Sequence, residues 1–228
     1  MENRMNMKSA TNGCDFCGTP IEPLYRPEDS QLDATVCICP ACGLVQSSYE
    51  RASVPGKQRS LSSGARWGNI RHGKRLRMQQ LSSLLETAIV GRQIAAALDV
   101  GSNRGDFVRW LRSIRPDCNI TALEPDASLV EEYRTVPDIL WETRFENAKL
   151  PLEQFDLIHC CHTLEHAASA AQMISGMHLA LKPGGLLFIE VPALSSLAWP
   201  HNVEEFFIDK HTFHFDRSTL CDYLTASG

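Results

Sequence analysis

The chain of 228 residues contains no apolar run of about 18 residues, the length a helix needs to cross a bilayer, so nothing in it reads as a membrane span. Met1 to Gly13 is polar and has no apolar centre, which excludes a secretory signal and makes the cytoplasm the expected location. An excess of positive charge is also missing. The 22 basic and 27 acidic residues give a formal charge of −5, which argues against wholesale wrapping of nucleic acid. Acid is absent from one stretch: between Arg51 and Gln80 stand Arg51, Lys57, Arg59, Arg66, Arg71, Lys74, Arg75 and Arg77, with no Asp or Glu among them. A solvated linker and helix face would account for this, and so would a surface for a phosphate-bearing ligand. Nine cysteines, an odd number, do not make a disulfide framework in a cytoplasmic chain.

The spacing of those cysteines carries the information. Cys14-x-x-Cys17-Gly18 and Cys39-x-x-Cys42-Gly43 are matching pairs. Two residues between cysteines let both sulfurs turn inward on one tight loop, and four thiolates at tetrahedral geometry suit Zn²⁺. Iron in a rubredoxin-like site is the rival. Cys37 comes too early for the pattern. A module of this size has too little core to fold unaided, so the metal is expected to be structural.

Residues 1–46 are therefore expected to form a zinc-binding module, with strand-like pieces at Ile21 to Tyr25 and Ala34 to Ile38. Residues 47–73 read as a linker or lid. A helical period starts at Lys74 and stops near Gly91. Strands and helices then alternate. Strands are predicted at 97–100, 119–123, 139–145, 155–161 and 186–191, the last continuous and buried. Helices are predicted at 107–114, 127–134, 167–181 and 218–226, with a turn at Lys182 to Gly185. The rhythm implies an α/β, Rossmann-like, doubly wound and mostly parallel sheet of about five strands over residues 74–228.

The first strand runs into Asp99-Val100-Gly101-Ser102-Asn103-Arg104-Gly105. Gly101 permits a tight turn beside a ligand, and Gly105 is expected to let the helix start pack close to the strand. Asn103 at the middle glycine position would crowd a pyrophosphate, and Asp99 would repel one. An acid there suits the ammonium group of a methionine-like ligand instead. Glu124, ending the second strand, can accept both ribose hydroxyls of an adenosine, and Glu146 and Asn147 can meet adenine. Ser102 and His162 complete the expected cofactor contacts.

The ordered set Asp-x-Gly-x-x-x-Gly, Glu124, Phe155-Asp156-x-Ile158, Leu164-Glu165-His166 and Leu181-Lys182-Pro183-Gly184-Gly185 resembles the class I S-adenosylmethionine methyltransferases. Together with Cys39 to Gln46, Ser62-Ser63-Gly64 and His72, it is similar to the zinc-containing methyltransferases of sugar and cell-surface polysaccharide pathways. That resemblance implies S-adenosylmethionine as cofactor and a small, phosphate-bearing acceptor such as a nucleotide-linked sugar. In that family a Tyr-x-Glu-His element serves base chemistry. Here the equivalent reads Ile208-Asp209-Lys210-His211, so only the histidine remains and both C- and O-methylation stay open.

Methyl transfer needs alignment, exclusion of water, and a base only where the acceptor must lose a proton. Histidines and acids after the fourth and fifth strands supply the candidates: His162, Glu165, His166, Glu190, Glu204, Glu205, His211 and His214. The catalytic assignments are His211, His162 and Glu165, although Glu165-His166 also reads as a brace for the next helix. An RNA methyltransferase gripping RNA through the zinc module is an alternative, disfavoured by the acidic total and the lack of clustered aromatics in that module. A non-catalytic, methyltransferase-like binding module is another. Class I sheets usually close with two more strands, so a missing C-terminal segment or a partner chain is expected to cover the sheet edge.

Overall fold

Two sheets share the chain in the computed structural model, which describes residues 13–28, 30, 33–49, 70–197, 203–207 and 211–228. The first is antiparallel, in the order β1-β2-β3-β9: β1 is Glu22–Tyr25, β2 Ala34–Ile38, β3 Val45–Tyr49 and β9 Phe213–His214. The second is parallel. It takes the order β6-β5-β4-β7-β8, from β4 (Ala96–Val100), β5 (Asn119–Leu123), β6 (Ile139–Trp141), β7 (Phe155–Cys161) and β8 (Leu181–Glu190). The expected five-stranded Rossmann-like architecture is thus present. No helix among the described residues is long and apolar enough to cross a membrane.

Helices cover both faces of the parallel sheet. On one face, α1 (Ile70–Ile89) and α2 (Asp106–Ile114) bury Leu85, Ile89, Phe107, Val108 and Leu111 against Ala97, Ile120 and Leu157. On the other, α4 (Ala170–Ala180) and α6 (Arg217–Ser227) bury Met173, Ile174, Met177 and Tyr223 over Leu98, Ile158 and Cys160. Each buried side chain of this size removes roughly 1.5–3 kcal/mol worth of apolar surface from water. The ends are fixed by side chains: Ser169 Oγ accepts from the Gln172 amide at 3.2 Å, and Asp216 and Thr219 cap α6 reciprocally. Asp156 ties strand to strand. It accepts from the amides of Ala95 and Ala96 and from Lys182 Nζ at 2.8–2.9 Å. Burial works against its charge, but these donors win and hold the carboxyl below its usual range.

Several elements differ from the sequence expectation. Helix α1 begins at Ile70, and β3 continues through residues 47–49, which had been read as the start of a linker. The helix expected over 127–134 is only α3 (Ala127–Val130), because Tyr133 turns inward under Gly105. Strand β6 stops at Trp141: it pairs with β5 alone, and Phe145 leaves it to pack on Gly176 of α4. Lys182 to Gly185 is not a separate turn but the irregular start of β8, with Gly184 at φ 77°. Strand β8 itself, expected to be fully buried, is half-exposed because it lies at the sheet edge beside β7.

The cysteine-bearing segment is joined to the parallel sheet's layers. Strand β9 pairs with β3 through Val45–His214 and Gln46–Phe213. Asp15 Oδ2 accepts from the Ala171 amide at 2.9 Å and from the Tyr223 hydroxyl at 2.9 Å. Behind β9, Phe207 packs with Val36, Val45 and Val203, and also rests against the ring of His214. A short helix, α5 (Val203–Phe206), lines this seam.

His214 is buried, with Nε2 3.0 Å from Ser47 Oγ, and burial holds its imidazole down to about 3 from an ordinary 6.5. The folded protein therefore keeps this ring neutral while the unfolded chain protonates it. The resulting stability is complete above pH 6.5 and is lost as pH falls toward 3, at about 1.4 kcal/mol per unit. Urea unfolding at pH 7 and pH 5.5 should show a larger loss in the wild type than in His214→Gln, which retains an amide for Ser47. Equal pH dependence in the two would show that His214 is charged in the fold.

Candidate functional site

The order of the parallel sheet reverses between β4 and β7, and in open sheets of this kind the crevice for a ligand lies at that switch point, beyond the carboxyl ends of the strands. Past β4 the chain turns at Gly101, φ 72°, where a Cβ would fall 2.0 Å from Thr163 Oγ1. The Gly101 and Ser102 amides both donate to the Leu123 carbonyl, at 2.8 and 3.0 Å, folding the loop onto the end of β5. Glu124 stands there, 6% exposed. Its Oε2 accepts from the Asn103 amide at 2.8 Å and its Oε1 from the Asp126 amide at 3.0 Å. Burial pushes the Glu124 carboxyl up, and the two amides oppose that shift. Each oxygen keeps a further lone pair for a ligand hydroxyl.

Two expectations about this loop change. Gly105, φ 74°, lies against the Tyr133 ring rather than the strand, and a Cβ would meet that ring at 2.4 Å. Ser102 is buried with its hydroxyl bonded to the Tyr133 hydroxyl, so this side chain holds the loop's underside.

Asp99 is 2% exposed, and its Oδ1 lies 2.7 Å from His159 Nδ1. The sequence reading did not single out His159. In register beside Asp99, it lies between the rings of Phe107, stacked at 3.9 Å, and Phe188, at 5.6 Å. Cys161 Sγ stands 3.0 Å from His159 Nε2. Burial and the neighbouring Glu190 carboxylate push the Cys161 thiol far up, so it stays protonated beside this ring.

The next turn gathers the catalytic candidates. His162, at φ 50°, has Nδ1 3.4 Å from Glu165 Oε1 and Nε2 3.6 Å from Glu190 Oε1. A non-glycine residue in the left-handed region is strained, and such strain gathers at functional sites. His166 Nε2 is 3.9 Å from Glu165 Oε1, and its ring lies 4.9 Å from that of His211. His211 is carried in from the approach to β9, where the Thr212 amide donates to the Glu165 carbonyl at 2.8 Å. Glu165 is 1% exposed, and neither of its carboxylate oxygens has a hydrogen-bond partner among the described residues.

Several other predicted residues also take part in holding the fold. Glu146, on a short 3₁₀ turn, accepts from the Ala168 amide at 2.9 Å, and Asn147 beside it is exposed. Glu204 bonds the Tyr25 hydroxyl and the Glu28 amide, and His214 is buried in the antiparallel seam. Ser62, Ser63, Gly64, Arg66, residues 208–210 and the side chains of Arg71, His72, Arg75 and Glu205 lie outside the described residues.

The four paired cysteines come together. Cys14 and Cys42 sulfurs are 3.5 Å apart, Cys17 and Cys39 3.5 Å, and Cys17 and Cys42 3.8 Å. Tetrahedral zinc with bonds of about 2.3 Å places sulfurs roughly 3.8 Å apart, so the donor set fits that ion. Each loop closes identically: Gly18 donates to the Cys14 carbonyl and Gly43 to that of Cys39, both at 2.9 Å, with φ of 74° and 76°. Thr19, through its hydroxyl and amide, draws the Cys17 thiol down to about 6, toward the thiolate a metal requires. Cys37 lies in β2 near the Thr35 carbonyl, outside the cluster.

A family model described as a methyltransferase domain matches residues 70–228. The chain belongs to that family. This methyltransferase is similar in fold to an S-adenosylmethionine-dependent methyltransferase from Archaeoglobus fulgidus (TM-score 0.59, 20% identity, 73% of this chain and 74% of that one). It is also similar to one from Thermotoga maritima (TM-score 0.54, 19% identity, 75% and 78%). No protein of curated function matches it in sequence. Its activity is accordingly S-adenosylmethionine-dependent methyl transfer. The glycine turn at Gly101 and the amide-held carboxylate of Glu124 fit such a cofactor. Bound there, it supplies a methyl carbon already activated by its sulfonium.

The turn at Gly101 is the part of this crevice least tolerant of a side chain. Gly101→Ala should cost at least about 1–2 kcal/mol from the left-handed backbone alone, plus the displacement of Thr163. We expect lower thermal stability together with weakened cofactor binding in calorimetry. Wild-type values for both would show that the turn is looser than its geometry requires.

Proposed function

We propose that this methyltransferase acts on a small anionic acceptor, of the kind represented by a nucleotide-linked sugar or a surface-polysaccharide precursor. The observation that carries the reading is the convergence of His162, Glu165, His166 and His211 at the carboxyl end of the parallel sheet. One of the four arrives from the strand that pairs with the cysteine module. The acceptor would lie between that seam and the cofactor crevice. In this reading Glu124 takes the ribose hydroxyls, and Asp99, fixed by His159, faces the methionine end. Glu146 and Asn147 border the adenine. Proton removal from the acceptor falls to the imidazoles of His211 and His162, with Glu165 orienting them. The basic side chains of Arg66, Arg71 and Arg75 would meet the acceptor's phosphates, since Arg donates two bonds to one phosphate. Incubation with labelled cofactor should transfer label to a pool of nucleotide sugars and leave total RNA unlabelled. Label in RNA alone would overturn the acceptor class while leaving the methyltransferase assignment intact.

The four-cysteine cluster holds a structural zinc in this proposal. Four sulfurs leave no open position for catalysis, and the module contributes Cys14, Cys39 and Leu44 to the core beneath α4 and α6. Elemental analysis should give one zinc bound through Cys14, Cys17, Cys39 and Cys42. Cys37→Ser should retain it, and Cys39→Ser should lose it and melt at a lower temperature. A protein without metal that melts as a single cooperative unit would defeat this assignment.

A further inference from the structure

Glu165 poses a problem that methyl transfer does not require. A carboxylate removed from water and given no hydrogen bond is costly by several kcal/mol unless a cation answers it. Its oxygens are buried without such a bond, and its side chain is aimed among three imidazoles rather than toward solvent. Among the described residues, no Lys or Arg pairs with this carboxylate; its neighbours are the imidazoles of His162 and His166.

We infer that Glu165, His166 and His211 form a site for a divalent transition-metal ion, separate from the four-cysteine cluster. One donor atom from each of the three lies within 4.8 Å of the others. Two ligands bound to one ion at about 2.1 Å each stand at most about 4.2 Å apart. The 3.9 Å between His166 Nε2 and Glu165 Oε1 already meets that limit, and small ring rotations bring in the third. Two imidazoles and one carboxylate suit Mn²⁺, Fe²⁺, Co²⁺ or Zn²⁺ and leave open coordination positions. Hard oxygen-only ions such as Ca²⁺ fit this donor set poorly. His162, 3.4 Å from Glu165 Oε1, stands at the rim, where its ring can turn toward an ion or toward what the ion holds. The backbone bond from Thr212 to Glu165 fixes the distance between the two chain segments that supply ligands, so the site is assembled before any ion arrives.

The inference deepens the proposed function, on which its catalytic meaning rests. An ion with open positions at this place would ligate acceptor oxygens and lower the pKa of a hydroxyl bound to it. That favours O-methylation over C-methylation. The metal site itself stands independently of the acceptor.

The test uses protein carrying one equivalent of zinc, which fills the thiolate cluster, titrated with Mn²⁺ and followed by the electron paramagnetic resonance of the free ion. Mn²⁺ prefers oxygen and nitrogen donors to thiolates. One Mn²⁺ per chain is expected, with affinity reduced by about tenfold or more in both Glu165→Gln and His211→Ala. His211→Ala removes a half-exposed side chain and guards against misfolding of the Glu165 variant. Retained zinc and cooperative melting report that each variant is folded. Absence of Mn²⁺ uptake by the folded wild type would overturn the inference. Unchanged affinity in both folded variants would overturn it equally. Cofactor binding, read by calorimetry on the same samples, would survive failure of the metal site. Mn²⁺ binding would survive failure of the acceptor assignment.

Discussion

A backbone hydrogen bond from the Thr212 amide to the Glu165 carbonyl sets the crevice, because it locks together segments that belong to two different sheets. On one side of it is the turn after β7, which belongs to the parallel sheet. On the other is the approach to β9, which closes the antiparallel sheet of the cysteine module. Because both groups are main-chain atoms, the bond fixes backbone positions, and the side chains on either side inherit that precision. His211 meets His166 through this bond rather than through any preference of the histidines for each other. The module therefore does more than append a metal knuckle, since its sheet sets where one of the four crevice residues can stand.

The remaining connections between the layers serve the same end. Asp15, within the first cysteine loop, accepts from the first turn of α4 and from the Tyr223 hydroxyl of α6. A carboxylate at a helix N-terminus is favourable in itself, and its bond to Tyr223 makes it specific. Burial, with Asp15 adding to it, pushes the Tyr223 phenol far above its usual range, so it remains a donor at any working pH. The metal loops, the helix layer and the β3–β9 seam thus form one continuous body around the carboxyl end of β7.

Periodic features were legible in the sequence, and features created by pairing were not. Ala97 to Val100 and Phe155 to Cys161 read as strands because each is an apolar run bounded by turn residues. The two cysteine loops were legible because identical spacing repeated. Helix α3 was overextended because Glu131 to Arg134 has a helical composition, and only Tyr133's burial beneath Gly105 breaks it. His159 was passed over because a histidine inside an apolar strand carries no local sign of its partner. Asp99 lies sixty residues earlier, and only the β4–β7 register sets the two side by side. Glu165 and His211 were both singled out, but their proximity depends on the β9 pairing, which two residues of strand cannot announce.

The crevice holds its acids by opposite means. Glu124 is fixed by the amides of Asn103 and Asp126, which oppose the upward push of burial on its carboxyl and leave each oxygen a further lone pair. Asp99 is fixed from behind by an imidazole whose plane is set by Phe107 and Phe188 and whose far nitrogen meets the Cys161 thiol. Both arrangements remove rotational freedom before a ligand arrives, which is the cost a binding site must otherwise meet on association. Glu165 is different in kind. Nothing among the described residues donates a hydrogen bond to it, although its backbone carbonyl is held by the Thr212 amide. An acid that is rigid, buried and unanswered is organised for a cation, whereas one already bonded to amides is organised for a neutral hydroxyl. The distinction follows from the number of donors each carboxylate has within reach, and it sets Glu124 and Glu165 apart as two kinds of acid in one crevice.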